Sequence, residues 1–506
     1  GEKALHETSG EDVFCSMPAR FPVVQGPPAS CAPGPVAAWW PMPHKNVPSF
    51  TLLPAVDVLV LGAGLAGLRA ALAALAAAPG AAVAVAAVQS GPSGSSFANM
   101  HGRLGLHAPE SDAAREAFCR EAAAVAAPGL VVPELVAALA AEALPRRLEL
   151  EAWGAVFERD DARRLRLYPS CFSPDSRRAA LLADLPGLRR LLWRRIGAAG
   201  GRALAGRTAL ACLREPGGRV CGALFEDAAG EVSLQPAGAV VAAMGGTAPL
   251  FLRHQAGGGN PGFGHGLLAL AGARMANTAF LQWMWAHVRD RRFWPVWSLL
   301  EGAAAADGPL PDAVREAGAG RAGHCPFGHG QRDAALDLWL LDRADADGVA
   351  AVTQGGERLD VALFAHAANG GALVDARGRT DVPALFAVGE CATGMHGANR
   401  LGGAMVASCL VFGARAGETA AREAARPGDA AFARAVAAAR AGFSRDATEE
   451  HEVTCWLART LQEYAVPRRN PDAAALPRLL GQRLEKARDA AVRARLAASG
   501  ALKFSG

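Results

Sequence analysis

Paired cysteines, net charge and long apolar runs are all scarce in this sequence, and each scarcity argues against a class of protein. The ten Cys include no C-x-x-C pair, which argues against a disulfide framework or a zinc ribbon. The net charge of +4 over 506 residues indicates neither a nucleic-acid partner nor a membrane surface. The most apolar stretch, Ala70 to Val88, is mostly alanine and is interrupted by Pro79-Gly80. It therefore predicts a helix followed by a strand rather than a transmembrane segment.

The composition is that of a folded globular protein. With 506 residues the chain is too long for one ordinary core, and we expect two or three domains. Hydrophobic residues make up 51% and charged residues 20%. The unpaired cysteines favour the cytoplasm or another soluble reducing compartment. The chain begins with Gly1 rather than Met, which is also compatible with a removed targeting segment.

The clearest motif is an apolar strand followed by a glycine turn and an alanine-rich helix, at positions 56–71. Gly62, Gly64 and Gly67 have the G-x-G-x-x-G spacing that holds a dinucleotide pyrophosphate. Gly62 permits the tight turn, Gly64 lets the backbone approach the phosphates, and Gly67 lets the helix pack on the strand. The helix N-terminus then faces the negative charge. The alternative is a glycine turn in an ordinary βα unit.

Two later segments are placed to contact the same ligand. A Ser/Gly loop at 89–102 follows the second predicted strand, Ala82 to Val88. No carboxylate ends that strand, so Gln89 or backbone groups must hold the ribose, or it is held elsewhere. A further buried strand at 237–244 ends in Gly245-Gly246, which suggests one sheet with ligand contacts at its carboxyl edge.

The character of the sequence changes along the chain. Residues 1–50 are rich in proline and contain Trp39-Trp40, which predicts an extended arm packed on its own domain or on a partner. Residues 280–365 have more tryptophan and more loops, as expected of an inserted domain. From Gly413 onward the sequence predicts alanine-rich helices.

The most specific motif is the run LFAVGECATGMHGANRLGG, from Leu385 to Gly403. It closely resembles the late FAD-binding segment of the fumarate reductase, succinate dehydrogenase and L-aspartate oxidase flavoproteins. Its H-G-A-N-R-L-G-G portion is far more specific than the first glycine motif. The similarity extends from Val56 to Gly417 and weakens in the middle.

The resemblance implies an α/β fold made of three parts: a Rossmann-like FAD-binding domain, an α+β capping domain inserted into it, and a C-terminal helical domain. We therefore divide the chain into an extended arm at 1–50, a first FAD-binding part at 51–278, a capping domain at 279–365, a second FAD-binding part at 366–421 and a helical domain at 422–506.

The resemblance also implies a set of FAD contacts. It places Gly62, Gly64 and Gly67 at the pyrophosphate, Ser95 and Ser96 near the flavin, Gly245 and Gly246 at the adenine half, and Glu390 at the ribityl hydroxyls. A carboxylate suits that last position because it can accept from two donors. Covalent-flavin members of the family carry a histidine where this chain has Ser95, so we expect non-covalent FAD.

Three basic residues match the family's substrate site. Arg400 would clamp a substrate carboxylate, His366 matches the substrate histidine, and Arg332 matches a cap arginine that acts as proton donor or acceptor. Each has a plainer alternative. Arg400 could pair with a carboxylate of its own chain, His366 could be a structural loop histidine, and Arg332 could be a surface residue.

Four changes, one of them a residue pair, depart from the family pattern. Met284 stands where a histidine of the cap entrance is expected, and Ala404-Met405 stands where the family usually has Asn-Ser. His265 replaces an Asp, and His101 replaces a Gly. These changes suggest an altered substrate or a flavoprotein whose original activity has faded.

Metal-binding candidates are weak. Cys15 and Cys31 have no supporting spacing, and the segment 324–329, His-Cys-Pro-Phe-Gly-His, suggests no fourth ligand. The acidic run with His451 at 449–452 is typical of a solvated helix face. We predict no metal site.

We expect an FAD-dependent oxidoreductase of the fumarate reductase type, acting on a carbon–carbon or carbon–nitrogen bond next to a carboxylate. L-aspartate oxidase-like amine oxidation is the nearest alternative. Its expected partners are a small carboxylate substrate and an electron-transfer protein. A different class also stays open, a non-catalytic flavoprotein or an FAD-free relative serving as a subunit of a larger assembly. Met284 and Ala404-Met405 favour that class, whereas Arg332, His366 and Arg400 oppose it.

Overall fold

A computed structural model of the chain describes residues 50–444, 446–464, 476–487 and 489–501. The predicted N-terminal arm, with Cys15, Cys31 and Trp39-Trp40, lies outside these residues except for Phe50. No helix in the described ranges combines the length and apolar character needed to cross a bilayer.

The described residues form strands and helices in the following order. The strands are β1 (Thr51–Leu52), β2 (Val56–Leu61), β3 (Val83–Ala87), β4 (Leu104–His107), β5 (Leu167–Ser170), β6 (Ser173–Leu182), β7 (Arg202–Ala205), β8 (Thr208–Arg214), β9 (Val220–Glu226), β10 (Val232–Ala242), β11 (Met275–Ala276), β12 (Leu281–His287), β13 (Ala304–Ala305), β14 (Val349–Gln354), β15 (Glu357–Ala368), β16 (Gly371–Leu373), β17 (Leu385–Ala387) and β18 (Ala392–Thr393). The helices are α1 (Leu65–Ala77), α2 (Gly94–Phe97), α3 (Asp112–Ala126), α4 (Pro133–Trp153), α5 (Leu185–Ala198), α6 (Gly264–Leu270), α7 (Asp312–Gly318), α8 (Ala334–Leu341), α9 (Ala404–Glu423), α10 (Asp429–Ala441), α11 (Ala447–Tyr464), α12 (Leu476–Lys486) and α13 (Ala490–Ala501).

The largest sheet has the strand order β7-β3-β2-β10-β9-β8, with β1 and β17 also paired to β10. Strand β10 pairs in parallel with β2 and β17 near its carboxyl end, and antiparallel with β9 nearer its start. The sequence of β2, VDVLVL, is almost continuously apolar, as expected for a parallel strand covered on both faces. Strands far apart in sequence thus end beside one another, which is where open α/β sheets bind ligands.

Small residues bring helices α1 and α9 close together behind that edge. An added Cβ at Gly417 would lie 2.0 Å from the carbonyl oxygen of Ala70, and one at Gly413 would lie 2.9 Å from that of Ala66. The two helices can approach this closely only because these positions lack side chains. This contact fixes the start of α9, which directly follows Arg400 to Gly403.

A second sheet, β12-β15-β14-β13, is formed by strands between residues 281 and 368. Helices α7 and α8 belong to the same segment of the chain. We call this unit the cap. Trp285, Trp294, Leu336 and Leu363 are buried in its core. The cap sheet falls where the insertion was predicted, although the exact domain boundaries stay a prediction.

The C-terminal helices pack both on helix α6 and on the cap. Helix α13 crosses α6 so closely that an added Cβ at Gly266 would lie 1.9 Å from the carbonyl oxygen of Ala494. Val453, Leu457 and Leu496 share one apolar core with the cap. The predicted α/β class, with a cap and a helical C-terminal domain, is confirmed.

Candidate active site

A cavity lies at the carboxyl edge of the largest sheet. It encloses about 920 Å³, part of it open to solvent. The predicted cofactor residues that line it are Gly62, Gly64, Ser95, Ser96, Gly245 and Glu390. We call this space the FAD cavity. Segments more than 300 residues apart in sequence, near Gly62 and near Glu390, thus face one ligand space.

The glycine turn permits close backbone contacts that side chains would prevent. Gly62 has φ +110°, and an added Cβ there would lie 2.3 Å from the carbonyl oxygen of Ala243. An added Cβ at Gly67 would lie 2.0 Å from the carbonyl oxygen of Gly62. Gly64 is different, because its added Cβ would meet only Ser96 Oγ, at 3.4 Å. The turn therefore needs Gly62 and Gly67 for folding, while Gly64 leaves its space to the cavity.

The Ser/Gly loop is tied to the start of helix α1. The backbone N–H of Leu65 donates to Ser96 Oγ over 3.1 Å, which satisfies one of the unpaired N–H groups of the helix N-terminus. The backbone carbonyl of Ser95 accepts from Asn99 Nδ2 at 3.1 Å. Ser96 is thereby held at the glycine turn, and both serines line the FAD cavity, while their contact with flavin stays a prediction.

The predicted substitute for a ribose carboxylate is already engaged within its own loop. Gln89 donates from Nε2 to the carbonyl of Pro92 at 2.5 Å. The cavity instead extends past Arg207 and Thr208, two residues that no sequence motif singled out. Arg207 pairs with Asp227 at 3.1 Å, so its guanidinium is held in place there.

Glu390 has one oxygen held by the protein and one not. Its Oε2 accepts from the backbone N–H of Ala368 at 3.1 Å, and no described residue donates to Oε1. Burial raises the pKa of Glu390, while that N–H and Arg400 oppose the rise. An added Cβ at Gly246 would lie 2.2 Å from Oε2. Gly246 therefore makes room for the Glu390 carboxylate rather than lining the cavity.

Arg400 is buried with one edge of its guanidinium free. Its Nε donates to Asn369 Oδ1 at 3.3 Å and its Nη2 donates to Gln282 Oε1. Nη1 has no partner among the described residues, although the residue is only 8% exposed. Burial lowers the pKa of Arg400 and nearby Glu390 offsets part of this, but a guanidinium keeps its proton in proteins. The result is a cation with an N–H group available to an anion.

A β-bulge places His366 at the same site. Gln282 pairs with Ala367 and Trp283 with Ala365, so His366 is the extra residue of β15 with no partner across the ladder. Burial, followed by His101 and Arg400, lowers the pKa of His366 to about 3. Its Nδ1 is buried and has no hydrogen-bond partner in the part of the chain that the structure describes. At neutral pH it is an uncharged ring that can accept or donate one hydrogen bond.

Arg332 lies elsewhere in this structure. Its side chain is 76% exposed and its Nη2 is 3.4 Å from Glu316 Oε1. Arg332 is therefore a surface residue in this structure, which is the plainer alternative given above. The structure does not bring it together with His366 and Arg400. The neighbouring residue Asp333 turns inward instead, where its Oδ2 lies 2.6 Å from His324 Nε2.

The cap reaches the site through His329. Its backbone N–H donates to Asn399 Oδ1 at 2.9 Å, and its carbonyl accepts from Asn399 Nδ2 at 2.8 Å. Burial lowers the pKa of His329, so the ring is neutral. Since Asn399 directly precedes Arg400, this paired contact sets the position of the cap relative to the predicted clamp.

The departures from the family pattern have different surroundings. Met284 is half-buried on β12 opposite Phe364, and Ala404 and Met405 are buried in the first turn of α9. His265 is buried with Nε2 2.6 Å from the carbonyl of Glu390, so it supports the residue that carries the predicted ribityl contact. His101 is exposed.

The candidate metal segment holds no metal-like cluster. His324 contacts Asp333 and the carbonyl of Pro326 and stacks on Phe172 with ring centres 3.9 Å apart. Across the described residues, no three His, Cys, Asp or Glu side chains converge as metal ligands would.

An ion pair that the sequence did not indicate lies at the centre of the cap. Arg321 and Asp337 are both fully buried, with Arg321 Nε 2.8 Å and Nη2 3.1 Å from the two carboxylate oxygens. Trp285 Nε1 also donates to Asp337, at 3.0 Å. The two-pronged pairing and the indole bond together satisfy the buried charges.

The FAD cavity fits the cofactor that the sequence implied. It offers close backbone approach at Gly62 and Gly64, hydroxyls at Ser95 and Ser96, and an unused carboxylate oxygen on Glu390. Glycine-lined backbone suits a pyrophosphate, and a carboxylate oxygen suits ribityl hydroxyls.

Comparisons with known proteins agree with this fit. The model of the FAD binding domain family matches residues 57–306 and 344–406. The L-aspartate oxidase of Halobacterium salinarum is 36% identical over 203 residues, which are 37% of this chain and 40% of that protein. The L-aspartate oxidase of Caulobacter vibrioides is 33% identical over 241 residues, 43% of this chain and 47% of that protein. The fumarate reductase flavoprotein subunit of Escherichia coli is 46% identical over 74 residues, 14% of this chain and 12% of that protein.

The matched segments thus span less than half the length of each of these curated relatives. Solved structures resemble the whole architecture. Quinol fumarate reductase of E. coli superposes with a TM-score of 0.73 at 20% identity, covering 89% of this chain and 88% of that one. The Sdh1 complex of Mycobacterium smegmatis gives 0.69 at 21% identity, covering 90% and 85%. At this identity the likeness concerns the fold alone.

The family match covers most of the chain. Because members of this family bind FAD, the match assigns non-covalently bound FAD as the cofactor. The fold, the split FAD cavity and the sequence motifs at both of its ends lead to one assignment. The chain belongs to the FAD binding domain family, among the flavoproteins of the fumarate reductase, succinate dehydrogenase and L-aspartate oxidase type.

Proposed function

We propose that the chain is an FAD-dependent oxidoreductase that acts on the bond next to the carboxylate of a small substrate. The observation that carries this proposal is the buried guanidinium of Arg400, whose Nη1 has no partner among the described residues and whose charge acts on His366 and on Glu390 of the FAD cavity. A buried cation with an unused donor needs an anionic partner, and a substrate carboxylate supplies one.

Each side chain has a distinct part in this proposal. The bound flavin would supply hydride transfer at its N5. Arg400 binds the carboxylate, and Gln282 and Asn369 hold the guanidinium in one orientation. His366, which is neutral, hydrogen-bonds the substrate and polarises it without adding charge. The cap contact between His329 and Asn399 limits the access of water to these groups.

The proton-transfer role predicted for Arg332 requires a rearranged cap. The side chain would have to leave Glu316 and enter the site, because it is 76% exposed in the present arrangement. Closing a cap over a bound substrate is a common way to complete a catalytic site. The role therefore remains a proposal that depends on such closure.

Amine oxidation of the L-aspartate oxidase kind is the second candidate. Two relatives that match over long segments, 203 and 241 residues, carry that name. A non-catalytic subunit of a larger assembly is the rival from another class, and the apolar residues Met284, Ala404 and Met405 favour it. An electron-transfer partner protein belongs to the first two proposals and is not required by the third.

Arg400→Ala distinguishes these candidates. We expect the purified variant to keep its flavin and to lose turnover by at least about 100-fold. The substitution removes the one cationic side chain with a free N–H that the described residues place at this site. Flavin reduction by substrate or reoxidation by an unsaturated acid, followed by absorbance, measures this. Arg358→Ala, on the exposed part of β15 with a side chain 74% accessible, is the matched control.

Unchanged turnover in Arg400→Ala would refute the carboxylate clamp. Absence of any acid-dependent change in the wild-type flavin, with flavin present, would favour the non-catalytic class. Reduction by L-aspartate without oxidation by fumarate would favour amine oxidation.

A further inference from the structure

The charged groups around Arg400 define how much negative charge the site can accept. The electrostatic partners of Arg400 are Glu390, Cys171 and Cys409, and Arg400 itself acts on His366 and His396. Both histidines are kept neutral by burial. No second Arg or Lys acts on this guanidinium or on these two rings within the described residues.

Two further arginines of the cap, Arg321 and Arg332, are paired with carboxylates elsewhere. Arg321 is fully buried and paired with Asp337. Arg332 is on the surface beside Glu316. The site therefore offers one positive charge, and Glu390 already opposes part of it.

The shape of the clamp points the same way. Gln282 and Asn369 occupy Nη2 and Nε of Arg400, which leaves Nη1 for a ligand. One carboxylate can use this group. A second carboxylate on the same small molecule would need its own donor farther along β12.

Beyond Gln282, strand β12 continues as an apolar wall. Side chains alternate along a strand, so Met284 shares the face of Gln282. Met284 lies opposite Phe364, which is buried in a cluster with Ala286 and Ala362. A carboxylate placed against this wall would lose its hydration without gaining a partner, which is costly.

We propose that the substrate is a monocarboxylic acid whose far end is apolar, rather than a dicarboxylic acid. This deepens the proposed function and rests on it, because it uses the same Arg400 clamp. The carboxylate sits at Nη1 of Arg400, and the apolar end lies against the half-buried Met284. Met284 is then a specificity-determining residue.

The test compares acids that differ at one end only. Fumarate and crotonate share an unsaturated carboxylate, but crotonate has a methyl group where fumarate has its second carboxylate. Titration of each into the FAD-loaded protein, followed by the flavin difference spectrum, gives the two dissociation constants. We expect crotonate to bind at least about tenfold more tightly, because an unpaired buried charge weakens binding.

Two variants at one position sharpen the comparison. Met284→Leu keeps the wall apolar and should keep the crotonate preference. Met284→His adds a donor and should shift the preference towards fumarate by about tenfold. Equal or tighter binding of fumarate by the wild type, or no binding of either acid to a flavin-loaded protein, would overturn the inference. A protein that cannot be loaded with flavin would overturn the proposed function itself, so the two failures are distinguishable.

Discussion

The FAD cavity and the cap are held in place by opposite means. Around the cavity, backbone meets backbone: Gly62 and Gly67 have no room for a methyl group. In the cap, large side chains carry the contacts, and a fully buried ion pair between Arg321 and Asp337 lies among tryptophans. The first region excludes side chains to form a cofactor surface, while the second depends on particular side chains and their partners.

The difference shows which features a sequence displays. Close backbone approach appears as glycine at fixed spacing, so the cavity could be located from the G-x-G-x-x-G turn. A buried ion pair has no such pattern. Arg321 and Asp337 are 16 positions apart, and both residue types are usually found on surfaces. The comparison can be tested by removing one element from each region.

The largest effect on stability is expected from Asp337→Ala. It leaves the Arg321 guanidinium and the Trp285 indole N–H without their acceptor in a dry core, which typically costs about 3–5 kcal/mol. Urea denaturation monitored by tryptophan fluorescence measures the free energy of unfolding. Asp342→Ala, an exposed carboxylate at the end of α8, is the matched control.

Replacing both partners, as in Arg321→Met with Asp337→Leu, should recover most of the lost stability because no unpaired charge remains. A single Asp337→Ala variant as stable as its control would show that the pair is not the element holding the cap.

The next largest effect is expected from Gly67→Ala in helix α1, beside the glycine turn. The new methyl group would meet the carbonyl oxygen of Gly62 at 2.0 Å, so the backbone must shift. Overpacking of this kind costs about 1–3 kcal/mol. We expect a lower melting temperature together with loss of bound flavin, both followed on the same sample.

Gly64→Ala separates the two effects. Its added Cβ would be 3.4 Å from Ser96 Oγ, so the apoprotein should keep nearly normal stability. Flavin affinity should still fall, because the methyl group enters the cavity. Equal destabilisation by the two substitutions would contradict the distinction between a folding glycine and a cofactor glycine.

The smallest effect concerns pH and His254, which lies where a segment joins β15. Burial, followed by Arg291, lowers the pKa of His254 to about 4. Between its ordinary pKa near 6.5 and about 4, the unfolded chain binds a proton that the folded chain does not. The stability contributed by neutral His254 is therefore complete above pH 6.5 and is lost as the pH falls through this window.

His254→Gln should flatten the fall of unfolding free energy between neutral pH and pH 4. Urea titrations at several pH values measure the slope. An unchanged slope in the variant would mean that other groups cause the acid sensitivity.

Much of the architecture could be predicted from the sequence. The α/β class, the inserted cap, the helical C-terminal domain and the FAD cofactor are confirmed. The strands and the glycine turn followed from local patterns, whereas FAD and the three-part architecture were implied by the family resemblance of the run from Leu385 to Gly403. The individual site residues stay predictions, although Arg400, His366 and Glu390 lie together beside the FAD cavity.

Other features depend on pairings between distant segments. The bulge that frees His366 arises from the register of β15 against β12. Gln282 became part of the clamp because β12 passes beside Arg400, 118 positions away. Which of the neighbouring residues Arg332 and Asp333 faces inward is set by the packing of His324 on Phe172. No local pattern encodes such contacts.

The visible absorbance spectrum of the purified protein tests the central claim most directly, since the flavin carries the redox chemistry. We expect a flavin band at about 450 nm, either as purified or after reconstitution with FAD and removal of the excess. Denaturation should release the flavin from the protein, as expected for non-covalent FAD. A protein that shows no flavin band after reconstitution would contradict the account of a split FAD cavity serving an oxidoreductase.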